Sequence, residues 1–453
     1  MAGDVGIRER LVLVEGTAQA EAVGSAAAEV DAHVLHQYGD SVLVVAVDEE
    51  ADEALAERLP GDSEPILAES VGADVRRALD ETGALGVAAL KHRASEKYAA
   101  TKAARPRAGD LWDVDEEGTP GCALLTPDDL SSPGAAEAAE AAALPTSQRL
   151  SGSVAVGLVM VEGPTAALRF SAAERTTVVA ETQNGLTWLG GRHPSTPITW
   201  RWDIDIIRLT VAANAPAADN ETRFRDPALD ALGFGPGHAG ARAYAESLRT
   251  QLRTDWAYVA FITKYPVNHF AYAFFGGPHL VMDYANDGWG PANIDRVFAH
   301  ETGHIFNAPD EYSSSGCNCG GAFGYYGKPN ANCQSCATGG GVDCIMRANT
   351  WAMCSHTPWH LGFPMCPSRL GVQFRGSVPA GSTRRWFTHS WPADCHVEWT
   401  VVPTTVRVGA PQISWDVHAE RASTGYVTFW ISIKNLTSVP VDIEARYAVL
   451  GST

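Results

Sequence analysis

The stretch FAHETGHIFNAPDEY, residues 298–312, sets His300 and His304 four positions apart with Glu301 between them. On a helix that spacing stacks both imidazoles on one face, one turn apart, where a single metal ion can reach them. Zinc takes imidazole nitrogens at about 2.0–2.1 Å, and a catalytic zinc keeps three protein ligands and one open position for water. The third ligand must come from outside the helix. Asp310 stands six residues after His304, and Asn307, at the midpoint, tolerates a left-handed backbone better than most non-glycine residues. A sharp turn at Asn307 can therefore return Asp310 to the same ion, with the adjacent Glu311 as the competing candidate. Glu301 projects to the open side of such an ion. Zinc lowers the pKa of bound water from about 15.7 to about 7, so a carboxylate suffices as general base. The blander reading is an ordinary helix with two satisfied imidazoles, and Asp310 at six positions beyond His304 weighs against it.

These residues resemble the metzincin metalloproteases, whose motif runs H-E-x-x-H-x-x-G-x-x-H or D. The resemblance implies His300, His304 and Asp310 as zinc ligands and Glu301 as general base. Asn307 stands in place of the usual glycine, and the third ligand is Asp rather than the commoner His. Met346, within VDCIMRANTWAMC, resembles the methionine turn beneath the zinc in the reprolysin branch, and CSHTPWHLG resembles the helix that follows it. The resemblance covers roughly residues 151–370 and implies an α/β (α+β) catalytic domain that hydrolyses peptide bonds of protein substrates. An edge strand before the motif helix, expected within AFFGGPHLVM, would bind an extended peptide by main-chain hydrogen bonds. Two other readings keep the site: a zinc-stabilised binding protein without catalysis, and a zinc amidase acting on a non-protein substrate. Glu301 weighs against the first, because a purely structural zinc needs no base.

Eight of the nine cysteines fall between 317 and 395, and only Cys122 lies outside. Cys317, Cys319, Cys333 and Cys336 form a C-x-C…C-x-x-C arrangement that reads either as two disulfides or as a second, structural zinc with four thiolates. Disulfides are favoured, since C-x-C is less typical of zinc and the resembling family is mostly exported. Cys344, Cys354, Cys366 and Cys395 can pair as well. Cys122, in TPGCALL, is either a free thiol or a latency switch whose thiolate occupies the open zinc position until the chain is cut. Asp283, Asn286 and Asp287 in DYANDGWG have a spacing that can ligate calcium, although ordinary turn chemistry explains them better. Asn435-Leu-Thr437 matches a glycosylation acceptor. Trp391, Trp399, Trp415 and Trp430 suit either a sugar platform or, more simply, a β core.

The elements that must position these residues follow from periodicity. Residues 1–105 alternate short apolar runs with acidic helical stretches and predict a small α+β accessory or prodomain-like unit; HVLHQYGDSVLVVAVDEEADEALAERL loosely resembles the propeptide or inhibitor domains of secreted proteases. Residues 106–150, rich in Pro, Gly, Ala and Glu, predict a linker. From 151 to 370, strand-like SVAVGLVMVEG, a helix with Val178, Val179, Leu186 and Leu189 on one face, strand ITWRWDIDIIRLTV, helix GARAYAESLRTQLRTD and two further strand regions lead to the motif helix. Pro291 and Asn293 signal its start. Residues 371–453 become all β at regular spacing, which predicts a β-sandwich. A net charge of -19, from 53 acids against 34 bases, argues against nucleic acid and anionic membrane surfaces as partners. No apolar run reaches membrane-spanning length. The N-terminus lacks the pattern of a secretory signal, whereas the cysteine clustering points to an exported or extracellular protein.

Overall fold

The computed structural model describes residues 7–112, 145–363 and 369–452, apart from residues 62, 64, 68, 69, 195, 220, 268, 269, 286, 287, 394 and 423–425. The chain divides into two compact units, Met1–Phe363 and Pro364–Thr453. In the first, β1 (Ile7–Leu13), α1 (Thr17–Ala28), β2 (His33–Tyr38), β3 (Val42–Asp48), α2 (Asp52–Arg58), β4 (Pro65–Ile66), α3 (Ala73–Ala78), α4 (Glu81–Arg93) and α5 (Glu96–Ala103) come first. They are followed by β5 (Ser153–Glu162), α6 (Ala172–Gly190), β6 (Thr199–Arg208), α7 (Arg225–Ala231), α8 (Gly237–Gln251) and β7 (Trp256–Thr263). The short strands β8 (Ala271–Ala273) and β9 (His279–Asp283), then α9 (Ile294–Ile305) and α10 (Thr357–His360), complete the unit.

All nine strands join one mixed sheet in the order β4-β1-β3-β2-β6-β5-β7-β9-β8. The run β2-β6-β5-β7-β9 is parallel and both flanks are antiparallel. β5 sits inside this run and is apolar almost throughout, as a strand covered on both faces must be. Val154, Val156, Leu158 and Met160 enter the cluster shared with α4, α6 and α9, while Ala155, Val159 and Val161 enter the cluster shared with α7 and α8. Fully burying each Val, Leu or Met contributes about 1.5–3 kcal/mol relative to exposure. α6 begins with a capping box between Ser171 and Glu174, and its expected apolar face of Val178, Val179, Leu186 and Leu189 is buried.

The domain boundary expected near residue 105 is corrected by this sheet. β2 pairs in parallel with β6 at His36–Tyr38 against Trp200–Trp202. Trp202 stacks on Tyr38 and its indole N–H donates to Nδ1 of His36 at 3.0 Å. Residues 7–105 are therefore one wing of the same sheet. The composition shift that suggested a boundary belongs to the following segment, most of which lies outside the described residues. Cys122, Cys366, Asn286 and Asp287 also lie outside them.

The second unit contains β10 (Arg369–Val378), β11 (Thr383–Pro392), β12 (Cys395–Pro403), β13 (Ile413–Arg421), β14 (Tyr426–Asn435) and β15 (Val441–Ser452). They form two three-stranded antiparallel sheets, β10-β15-β12 and β11-β14-β13, which share one apolar cluster. Trp391 and Trp399 belong to that cluster and Trp415 packs against it, so these three serve the core rather than a sugar platform. Asn435 is buried, and its amide donates to the carbonyls of Val378, Pro379 and Val439. That side chain is consumed internally and is not offered to a glycosylating enzyme. Among the described residues no helix is long and apolar enough to cross a membrane.

Candidate metal centre

α9 carries the motif and is buried along nearly its whole length. Asn293 precedes it but does not cap it through its side chain, contrary to the simple reading of the sequence. Its amide instead donates to the carbonyls of Trp289 and Pro106 and its oxygen accepts from Asn349. N–H groups of the first turn that have no partner within the helix are met by carboxylates: Glu181 of α6 accepts from the Asp295 amide at 3.2 Å, and Asp295 accepts from the Arg296 amide at 2.8 Å. Two acids at a helix N-terminus suit its dipole. Their charge is balanced by Lys102, paired with Glu181 and 2.9 Å from Asp295, and by the fork of Arg105 on Asp295 at 2.9 and 2.7 Å. Burial, then the neighbouring Asp295, pushes Glu181 up to about 8.

The C-terminal end of α9 builds the turn that the sequence required. Asn307 has φ 68°, the Asn307 amide donates to His304 O at 2.9 Å, and the Ala308 amide donates to Gly303 O at 2.9 Å. This is the Schellman pattern, with asparagine in the left-handed position that glycine usually takes. It turns the chain back so that Asp310 faces the two histidines. Nε2 of His300 and Nε2 of His304 lie 3.0 Å apart, and Oδ1 of Asp310 lies 3.2 and 3.1 Å from them. Glu311 points elsewhere, so Asp310 is the residue that completes the triangle.

The donor set fits zinc. Nδ1 of His300 lies 2.9 Å from Ile345 O and Nδ1 of His304 lies 2.7 Å from Ala308 O. A carbonyl can only accept, so both Nδ1 atoms carry the proton and both Nε2 atoms present lone pairs. Three electron-rich atoms thus converge in a fully buried place, an arrangement that needs a cation. A tetrahedral zinc with bonds of about 2.0–2.1 Å holds its ligands roughly 3.3 Å apart, close to these separations. Carbonyl partners on the far ring nitrogens are the usual means of fixing metal-bound imidazoles. Without metal, a proton takes its place. Burial opposes a charged His304, but Asp310 outweighs it and pushes His304 up to about 9, while the histidines hold Asp310 down at about 2. Glu301 is buried on the same helix, and its charge also favours protonated His304.

Met346 packs beneath α9, where the absence of a side chain at Gly303 makes room: a Cβ there would lie 2.7 Å from the Met346 sulfur. The same turn supplies two carbonyls to the site. Ile345 O takes His300 Nδ1 and also the indole N–H of Trp112 at 2.7 Å, and Met346 O accepts from the Glu311 amide at 2.9 Å. Trp112 packs on the His300 ring at 5.3 Å between centroids. Sequence reasoning missed Trp112, Lys102 and Arg105, which carry no local motif.

Cys317 is bonded to Cys333 and Cys319 to Cys336, so all four sulfurs are used and the alternative of a tetrathiolate zinc is set aside. Cys395 is disulfide-bonded as well. Cys344 and Cys354 are buried thiols, unpaired by any disulfide. The edge strand expected within residues 273–282 is displaced: β9, which fills the end of that stretch, is flanked on both sides, and the edge is the shorter β8 just before it. Set against known proteins, the chain matches no family model and no curated protein.

Proposed function

We propose that the protein is a zinc-dependent endopeptidase of metzincin type, exported from the cell, with His300, His304 and Asp310 as ligands and Glu301 as general base. The observation that carries this reading is the convergence of two Nε2 lone pairs and one carboxylate within 3.2 Å of one another, beside a buried glutamate. Zinc held there would polarise a scissile carbonyl and lower the pKa of water from about 15.7 to about 7. Glu301 takes the proton from the attacking water and returns it to the departing amine. Ile345 O and Ala308 O keep the imidazoles from turning during that exchange, and Met346 supports the helix from below. The β8 edge offers main-chain groups for an extended substrate. The disulfides support the exported location, because such bonds persist in oxidising compartments.

A second reading has one observation in its favour: His300, Glu301 and His304 are fully buried and Asp310 is 2 % exposed. A zinc-stabilised binding protein would have such a closed site, whereas a protease must open it. Casein cleavage that is lost on chelation and returns with added zinc supports the protease. Retained zinc without cleavage of any protein or peptide, even after limited proteolysis between residues 113 and 144, favours the second reading.

A further inference from the structure

Glu311 turns away from the histidines into a second buried group. Its Oε1 lies 3.0 Å from Cys354 Sγ and 3.2 Å from Thr357 Oγ1, and Thr357 Oγ1 lies 3.1 Å from Cys344 Sγ and 3.3 Å from Cys354 Sγ. All four side chains are buried. The donor atoms of Glu311, Cys344 and Cys354 all lie within 4.8 Å of one another. A carboxyl and two thiols thus share one enclosed space, and Asn332, Cys344, Cys354 and Thr357, which hydrogen-bond the Glu311 carboxyl, bring no positive charge.

We propose that Glu311, Cys344 and Cys354 form a second, structural site for a soft divalent cation of the zinc class, with the Thr357 hydroxyl at the fourth corner. Two sulfurs and one carboxylate within 4.8 Å of one another suit zinc rather than calcium or magnesium, which take oxygen ligands. On binding, the two thiols release their protons to solvent, and the cation offsets the charge of two thiolates and a carboxylate. The setting also explains why these cysteines remain unbonded to each other while the neighbouring Cys317–Cys333 and Cys319–Cys336 pairs are oxidised. Metal-held thiolates resist pairing, whereas two bare adjacent thiols in an oxidising compartment do not. The site would tie three segments together: the loop after Asp310, the methionine turn through Cys344, and the start of α10 through Cys354 and Thr357.

The test uses the metal-stripped full chain reloaded with cobalt chloride. The wild type should take up about two equivalents and show near-ultraviolet thiolate-to-cobalt charge transfer. The His300→Ala/His304→Ala variant should keep that absorption and lose one equivalent, and the Cys344→Ala/Cys354→Ala variant should lose the absorption and the other equivalent. Absorption that disappears with the histidines instead would place the thiolate at the first centre and overturn the proposal, as would a single equivalent without charge transfer. Peptide mapping of denatured, unreduced wild-type protein decides the matter if the cysteine variant does not fold. Alkylation of both Cys344 and Cys354, together with the absorption retained in the histidine variant, supports the site; a Cys344–Cys354 disulfide overturns it.

Discussion

At His304 a proton and the proposed zinc would compete for the same lone pair. The histidine's pKa in the metal-free pocket is raised from 6.5 to about 9, mainly by Asp310 working against burial. The stability this gives the metal-free protein is fully present below the unfolded value and is lost as pH rises through about 9. Asp310 is depressed to about 2, so its share is present above 3.8 and is lost as pH falls through about 2. The proposed zinc would have to displace the His304 proton, so its apparent affinity should climb about tenfold per pH unit between neutrality and about 9. Chelator competition would measure this climb, and a flat profile would show that no proton is held there. Asp310→Asn should flatten the profile by letting the His304 pKa fall, and should weaken binding at every pH. These residues were legible because the whole constellation spans eleven positions of one helix and turn. Trp112, Lys102 and Arg105 were not, since Arg105 reaches Asp295 across 190 positions of sequence and no spacing announces such a pair.

α9 holds the site because both its ends and its underside are specified. The left-handed residue at its end was legible in Asn307, since few non-glycine residues accept that backbone. Asn307→Gly should preserve stability and zinc content, whereas Asn307→Val should destabilise the fold by about 1–2 kcal/mol and loosen Asp310 from the centre. Denaturant unfolding with zinc analysis would check both. Beneath the helix, Gly303→Ala would push a methyl group into the Met346 sulfur, an overpacking worth about 1–3 kcal/mol. Because the Met346 sulfur lies near the end of a flexible side chain and alanine gains about 1 kcal/mol over glycine in a helix, the net loss should be small, and denaturant unfolding that shows a loss above about 3 kcal/mol would contradict this packing. The strands flanking β5 were legible from their apolar runs. The true edge strand was not, because β8 has only three residues and its neighbour β9 is the more apolar of the two.

At the scale of the molecule, the correction of the N-terminal boundary has a direct consequence. A removable prodomain would leave an active remainder, but residues 7–105 supply four strands of the sheet and the cations that balance Glu181 and Asp295. A chain starting after residue 105 should fail to fold and hold no zinc, as circular dichroism and metal analysis would reveal. A chain ending at Phe363 should keep its zinc, because the second unit has its own sheets and core. The second unit was legible as all β from its alternation. The continuity of the first was not, because strand pairing between β2 and β6 leaves no trace in either segment alone. The central claim concerns four side chains, and one paired measurement tests it most directly: zinc content and peptide-bond cleavage of the wild type beside Glu301→Gln. Zinc in both proteins at His300 and His304, with cleavage by the wild type falling by at least about a hundredfold in the variant, is the expected result. Equal cleavage by the two, or no zinc at those histidines in either, would contradict the account.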